Sequence, residues 1–445
     1  MNLNEADAQA LAAKVIALSK ADSCVVEFSG YDNRHIRYAQ NMATTSGAPG
    51  NIGFGIESHF GKHVGSASGN DLSDEGLAAL VAASEKTAKL APENPEFLPP
   101  LGPQKYAKGV SFAPVTEAAS PEMLAASVQP VLRQAQEQHL QASGFLEVGA
   151  SFSCFATSKG LFAYHRSTSV QHTLTARTPD GTGSGWAGTT HYDFSQLDAA
   201  ALGAVAMDKA VRSHKPAALP PGKYTVILEP SAVADLVGLM IRDEFDARSA
   251  DEGRNFATKK GGGSRLGESV FGKNISIYSD PSDPLVPGTV YSDDGLPAEP
   301  VAWVENGVLK NLTCSRYWAQ KSKYRPVSSP TTLAMKGGTT STAEMVKQTK
   351  KGLLITRFWY IREVDPQTVL FTGLTRDGVF LIENGEITRP VQNFRFNESP
   401  VAMLNRVMAM GPSVRAYGEE VGNFPISVPT LLVDGFALSS VSDAV

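Results

Sequence analysis

The sequence predicts a two-part protein that mixes helices with strands and is mainly strand in its second half. Three observations lead there. Stretches of helical periodicity and stretches of period-two alternation both occur before residue 214. Lys215-Pro-Ala-Ala-Leu-Pro-Pro-Gly222 then interrupts both patterns, as a boundary rich in proline and glycine does. Beyond the glycine-rich stretch Lys259-Lys-Gly-Gly-Gly-Ser264 the remainder reads mostly as strand. The expected domains are therefore residues 1–220 and 221–445.

The opening reads as a helix, with Asn2 and Glu5 at capping-box spacing and Leu11, Val15 and Leu18 on one face. Strand-like runs follow at Cys24–Ser29, His35–Ala39, Ile52–His59 and His63–Ala67. Ser73-Asp-Glu75 is a helix start: a capping hydroxyl, then acids where the helix dipole favours them, with Leu77, Leu80 and Val81 as the buried stripe. Ala91–Pro114 is a proline-rich connection and Glu122–Gln141 a further helix. From Gly144 to Arg177 the period changes to two, around a turn at Ser158-Lys-Gly160. Leu197–Val211 is alanine-rich and helical.

The second part opens with strand Tyr224–Leu228. A helix follows, started by Pro230 and Ser231, in which Val233, Leu236, Val237, Met240, Ile241 and Phe245 share a face. Trp303-Val-Glu-Asn-Gly-Val-Leu309 and Leu381-Ile-Glu-Asn-Gly-Glu-Ile387 each place Asn-Gly between apolar runs. This predicts two hairpins, because a type I′ turn needs positive φ at both central residues.

Composition narrows the function classes. Of 445 residues, 42% are hydrophobic and 19% charged, and the formal charge is −5. A chain without basic excess is not built to bind a polyanion, which argues against nucleic acid as the main partner. Three cysteines, at 24, 154 and 314, are too few and too scattered for a disulfide scaffold or a cysteine-clamped zinc. The acidic start lacks the basic, then apolar, pattern of a secretory signal. No apolar run approaches ~18 residues. The expectation is a cytoplasmic protein with no membrane partner.

Several motifs invite a chemical reading. Gly183-Ser-Gly185-Trp-Ala-Gly188 has dinucleotide-fingerprint spacing, but no helix opens from it to hold a pyrophosphate, so a loop is expected. The glycines at 261–263 lack a phosphate-loop ending. His59 and His63 have metal-ligand spacing, yet Phe follows the first where a zinc peptidase needs Glu, and strand-surface histidines are expected. All eight histidines lie at or before His214, so the second part lacks the usual general base. Asp243, Glu244, Asp246, Asp251 and Glu252 alternate with Arg242, Arg248 and Arg254, a pattern expected of a salt-bridged face. Finally, the extended run carrying Arg357, Trp359, Tyr360 and Arg362 fits either the wall of a peptide groove or a buried strand with arginines at its ends.

Gly352-Leu-Leu-Ile-Thr-Arg-Phe-Trp-Tyr-Ile-Arg362, Phe371-Thr-Gly-Leu-Thr-Arg-Asp-Gly378, Leu381-Ile-Glu-Asn-Gly-Glu-Ile387 and Pro429-Thr-Leu-Leu-Val-Asp434 together resemble the TldD/PmbA family, whose members have been called modulators of DNA gyrase. Further likenesses are Ile36-Arg-Tyr-Ala-Gln-Asn41 and Gly65-Ser-Ala-Ser-Gly-Asn-Asp-Leu-Ser73. The resemblance implies a two-domain α+β fold of mixed and antiparallel sheets, and a cytoplasmic dimer. It also implies a related zinc peptidase, the TldD-type subunit, with ligands in His-Glu-x-x-x-His on a helix and in a cysteine near the C-terminus. TldE-type subunits lack those ligands and complete the cleft for unfolded or extended peptides. Carried onto this chain, the helical motif falls on Gly238, Leu239 and Asp243, and Arg415–Asn423 has no cysteine. The expectation is a metal-free, TldE-like subunit without a cofactor of its own, zinc belonging to a TldD-type partner. Arg357, Trp359, Tyr360, Arg362 and Arg376 are then the candidate peptide contacts. A diverged hydrolase whose site is rebuilt from His59, His63, His165 or His172 is the second reading, and a self-associating peptide-binding protein the third.

Overall fold

The computed structural model describes residues 2–442 and has two sheets with helices, an α+β arrangement. After helix α1 (Glu5–Leu18) come strands β1 (Ser23–Ala39), β2 (Met42–Gly47), β3 (Gly50–Phe60) and β4 (His63–Gly69), then helix α2 (Asp74–Leu90). Helices α3 (Pro114–Glu117) and α4 (Pro121–Glu137) lead to β5 (Gln141–Thr157), β6 (Phe162–Arg177), β7 (Ser184–His191) and helix α5 (Ala199–Arg212). These seven strands form one sheet in the order β4-β3-β1-β5-β6-β7, with β2 on β1, every pairing antiparallel.

Period-two alternation sorts this sheet's faces. Val26, Phe28, Ile36 and Tyr38 of β1, with Leu146, Val148 and Phe152 of β5, face the helices; α1 and α2 cover one end and α4 and α5 the other. Phe155, Leu161 and Ala163 lie instead against Leu101, Tyr106 and Tyr291, so the opposite face meets the long connection and the second part of the chain.

Strand β8 (Gly222–Leu228) and helix α6 (Pro230–Glu244) open that second part. Strands β9 (Ile277–Ser279), β10 (Val301–Glu305), β11 (Val308–Leu309) and β12 (Leu333–Met335) are short. The long ones follow: β13 (Lys351–Asp365), β14 (Leu370–Glu383), β15 (Glu386–Pro390), β16 (Asn393–Glu398), β17 (Val407–Ala416) and β18 (Ile426–Ser442). This eleven-stranded sheet runs β11-β10-β9-β12-β18-β16-β14-β13-β8, with β15 on β14 and β17 on β18, and β8 pairs back onto β18, closing a ring. The β12–β18 and β13–β8 pairings are parallel, so the sheet is mixed.

Both Asn-Gly turns form as expected, with Asn306 and Gly307 at φ 50° and 81°, and Asn384 and Gly385 at 52° and 84°. Ser73 caps α2, accepting from the Gly76 N–H at 3.1 Å. Other expectations need correction. The first helix is capped by Asn4, which accepts from Asp7, because the Asn2 amide is drawn away to the Ala150 carbonyl. Its buried face is Ala8, Ala12 and Val15, while Leu18 is exposed. The helix expected over 122–141 ends at Glu137, and Gln141 already pairs in β5. Gly183–Gly188 lies mostly in strand β7, not in a loop; at Gly185 a Cβ would collide with the Ala206 carbonyl of α5, so glycine lets helix and sheet approach. Residues 245–350 are largely irregular, with short strands and short helices. Helix α6 is not amphipathic: 11 of its 15 residues are buried. It packs in one cluster with β13, β18 and the aromatic group of Phe245, Phe256, Phe271 and Trp303. A helix apolar on all sides belongs inside a core.

Candidate functional site

Strands β13 and β14 pair with register slips at Ile355/Arg357 and Trp359/Arg362. Such bulges re-aim side chains. At the second slip Tyr360 takes φ 56°, a conformation a bulky residue rarely adopts, and 53% of it is exposed. The Arg362 guanidinium stacks 4.1 Å above its ring, and that of Arg376 stacks 4.2 Å above the half-buried Trp359. The two rings are 5.7 Å apart, so cations and rings form one continuous stack that reaches solvent.

Arg357 is placed differently, buried behind the exposed stack. It is 6% exposed, with Nε and Nη2 on Asp377 at 2.8 and 2.6 Å and Nη1 on Glu419 at 3.0 Å. Its guanidinium lies 4.5 Å over Trp186 of β7. Asp377, itself 2% exposed, also accepts the hydroxyl of Ser184 on β7. Gln171 donates to the Tyr417 hydroxyl at 2.9 Å, and Arg415 Nε to the Thr190 carbonyl at 2.5 Å. Arg357 thus belongs to a seam that joins the two sheets.

The three positions where the resemblance puts zinc ligands lie on α6. Gly238 offers no donor, and a Cβ there would stand 2.6 Å from Val421 Cγ1. Leu239 is 7% exposed and packs in the core. Asp243 is gripped by Arg242 through Nε at 2.7 Å and Nη2 at 3.0 Å. One engaged carboxylate does not fit an ion that takes four donors in a tetrahedron. Among the described residues no three His, Cys, Asp or Glu side chains are grouped to hold a metal. Beneath the same helix face, buried Asp235 accepts from the N–H of Glu420 at 2.8 Å and of Val421 at 3.3 Å, tying down the 418–421 loop.

The histidines do not converge. His63 pairs across the turn with Phe60, which puts it on the face opposite His59. His59 is buried, not a strand-surface residue, between Ser23 at 2.9 Å and Glu57 at 2.8 Å; His63 Nδ1 donates to the Ala91 carbonyl. His165 and His172 sit on opposite faces of β6, and seven residues of strand separate them by ~23 Å. His165 and His59 share a face but lie three strands apart and six residues out of step, ~14 Å across and ~20 Å along the sheet. Burial drives His165 and His172 each down to about 4, so both are neutral at pH 7.

The charges around α6 form the ion pairs expected of them: Arg248 with Glu96 and Glu252, and Arg254 with Glu252. Asp246 caps a short helix, and Asp251 accepts from Trp318 and Tyr324. Glu244 is the exception. It is 5% exposed, burial holds its carboxyl above the ordinary range, and it lines a cavity together with Glu363. Sequence reading passed over Glu363, Glu419 and Glu420 as site residues, along with Ser184, Trp186 and Asp377. Only Asp377 carried a signal, the polar Arg-Asp-Gly step inside an apolar strand.

Comparison with known proteins agrees with this architecture. Residues 221–440 match the PmbA/TldA metallopeptidase C-terminal domain, and residues 113–213 match the central domain. A metalloprotease of Methanothermobacter thermautotrophicus is 26% identical over 292 residues, 60% of this chain and 61% of that one. A zinc metalloprotease TldD homolog of Saccharolobus solfataricus is 26% identical over 203 residues, 42% of this chain and 43% of that one. Each match spans less than two thirds of the relative's length. In fold, TldE from Thermococcus kodakarensis superposes with a TM-score of 0.85 at 17% identity, covering 97% of this chain and 99% of that one. A candidate modulator of a DNA gyrase from Thermotoga maritima gives 0.84 at 18%, covering 97% and 100%.

Proposed function

Since the chain belongs to the PmbA/TldD metallopeptidase family, we propose that it is a non-catalytic, TldE-like subunit that forms part of the peptide cleft of a zinc-bearing, TldD-type partner in the cytoplasm. The observation that carries this reading is the state of Gly238, Leu239 and Asp243 on α6. A metallopeptidase needs an ion held by three protein donors, with a fourth position open for water. Here one position has no side chain, one is aliphatic and one is neutralised by Arg242.

Trp359, Tyr360, Arg362 and Arg376 then serve as the cleft wall. Stacked rings and cations offer apolar area together with hydrogen-bond donors for an extended peptide. Arg357 serves from behind, holding β13 against β7 through Asp377 and Ser184. Neither nucleic acid nor membrane has a part in this reading, and no helix among the described residues is long and apolar enough to cross a bilayer.

The test is metal analysis and peptide hydrolysis on the purified chain, alone and mixed with a TldD-type chain from the same source. Alone it should carry no stoichiometric zinc and cleave no unfolded peptide; together, hydrolysis should exceed that of the partner by itself. Near-stoichiometric zinc with chelator-sensitive cleavage by this chain alone would overturn the proposal.

A further inference from the structure

Where α6 ends against β13, a cavity of about 210 Å³ opens, with Leu239, Ile361 and Phe371 as its apolar walls. Its polar lining is two arginines and four carboxylates, and their pairing leaves a remainder. Arg242 forks onto Asp243. Arg362 lies 3.4 Å from Glu420, whose other oxygen accepts the Ile361 N–H at 2.9 Å. Glu244 and Glu363 form no ion pair among the described residues. Glu244 is nevertheless only 5% exposed, and it shares the cavity lining with a second unpaired carboxyl, Glu363.

Two carboxyls lining one cavity disfavour each other's ionised form unless something positive lies between them. Burial first, then Glu363, Asp243 and Asp246, hold Glu244 well above the ordinary carboxylate range, while Arg242 and Arg362 are engaged elsewhere. The choice of cation follows from the donor set. A hard metal takes six or more oxygens, and among the described residues no three His, Cys, Asp or Glu side chains come close enough together to hold one. A guanidinium needs a broad planar fork. An ammonium is a compact charge with three donors, and the apolar walls suit a methylene stem.

We propose that this cavity binds the primary ammonium group of an extended peptide, from a lysine side chain or a free N-terminus, between Glu244 and Glu363. The source of the ligand rests on the peptide-cleft reading above, because Ile361, Arg362 and Glu363 continue the strand that presents Trp359 and Tyr360.

Calorimetric titration of the full chain, without partner or hydrolysis, tests it with three probes: acetyl-Ala-Lys-Ala-amide, its norleucine counterpart, and Ala-Ala-Ala-amide with a free amine. The lysine or free-amine probe should bind at least about tenfold more tightly than the acetylated norleucine peptide, as expected for a charge-assisted hydrogen bond. Which of the two wins identifies the source. Glu363→Gln, at an exposed residue, should erase the difference without moving the melting temperature, and the near-isosteric Glu244→Gln should erase it too. Equal binding of all three probes, no binding of any, or lysine binding that survives both variants would overturn the proposal. Those outcomes leave the auxiliary-subunit reading standing, whereas zinc and cleavage in the chain alone would remove that reading without touching the comparison of probes.

Discussion

Asp235 has one satisfied oxygen and one orphan: Oδ1 takes the two N–H groups of the 418–421 loop, and buried Oδ2 has no partner among the described residues. Burial first, against the pull of those two N–H groups and with some help from Glu420 and Glu419, raises its carboxyl from 3.8 to about 8. The folded protein therefore keeps a proton that the unfolded chain gives up. The contribution of Asp235 to stability is greatest below pH 3.8, declines as pH rises toward about 8, and is flat beyond. At ~1.36 kcal/mol per pH unit, the native state carries a penalty of about 4 kcal/mol at pH 7 and about 2 kcal/mol at pH 5. Asn keeps the shape and the acceptor, never ionises, and leaves an NH₂ where the protonated acid leaves a hydroxyl. Asp235→Asn should therefore stabilise the protein by up to about 4 kcal/mol at pH 7 and by about half that at pH 5. Urea unfolding of both proteins at pH 5, 6, 7 and 8, with the m-value checked for constancy, measures the gain. A variant no more stable than wild type, or a gain that does not grow with pH, refutes the reasoning.

Gly238→Ala puts a methyl 2.6 Å from Val421 Cγ1 and should cost about 1–3 kcal/mol; an unchanged melting temperature would mean that the loop yields freely. Arg357→Met strands the Asp377 carboxylate in the seam and should cost about 3–5 kcal/mol by chemical denaturation, much of it recovered on adding Asp377→Asn. If the double variant is no better than the single one, the buried charge is not the cause. His165 and His172, buried neutral, contribute stability that is complete above pH 6.5 and lost as pH falls toward about 4, roughly 3 kcal/mol each. Acid unfolding followed by circular dichroism should accordingly be shallower in His172→Gln, and an unaltered profile would count against the burial argument.

Much of the fold was legible because its signals are local. The Ser73 cap, the two Asn-Gly turns and the alternation in β5 and β6 depend on residues a few positions apart, and all three formed. The misses share another cause, a distant partner overriding a local preference. Asn2 could cap the first helix, but its amide finds the Ala150 carbonyl, so Asn4 caps instead. Gly185 has loop-like neighbours, yet α5 presses so closely on this segment that a strand without a side chain is what fits. Apolar spacing marks one stripe on α6, while Ala232, Ala234 and Leu239 on its other sides are buried as well, because the helix lies within the cluster that β13 and β18 build around it.

The site was legible only where chemistry could be read as missing. Gly238 and Leu239 cannot ligate a metal in any fold, so that part of the argument needed no coordinates. What stands in place of the ligands did need them. The Arg242 fork on Asp243 joins adjacent residues, but the Arg362–Glu420 pair spans 58 positions and the Arg357–Asp377–Ser184 chain reaches 193. The consequence concerns repair of the motif. A histidine at 238 would have to displace Val421, whose N–H is held by Asp235, and one at 243 would release Arg242 into a cavity that already contains Arg362. Restoring ligands one at a time should therefore destabilise the loop before any donor set is complete. The geometry around α6 is a packed, internally paired arrangement in its own right, and a competent zinc site would require the helix and the 418–421 loop to change together.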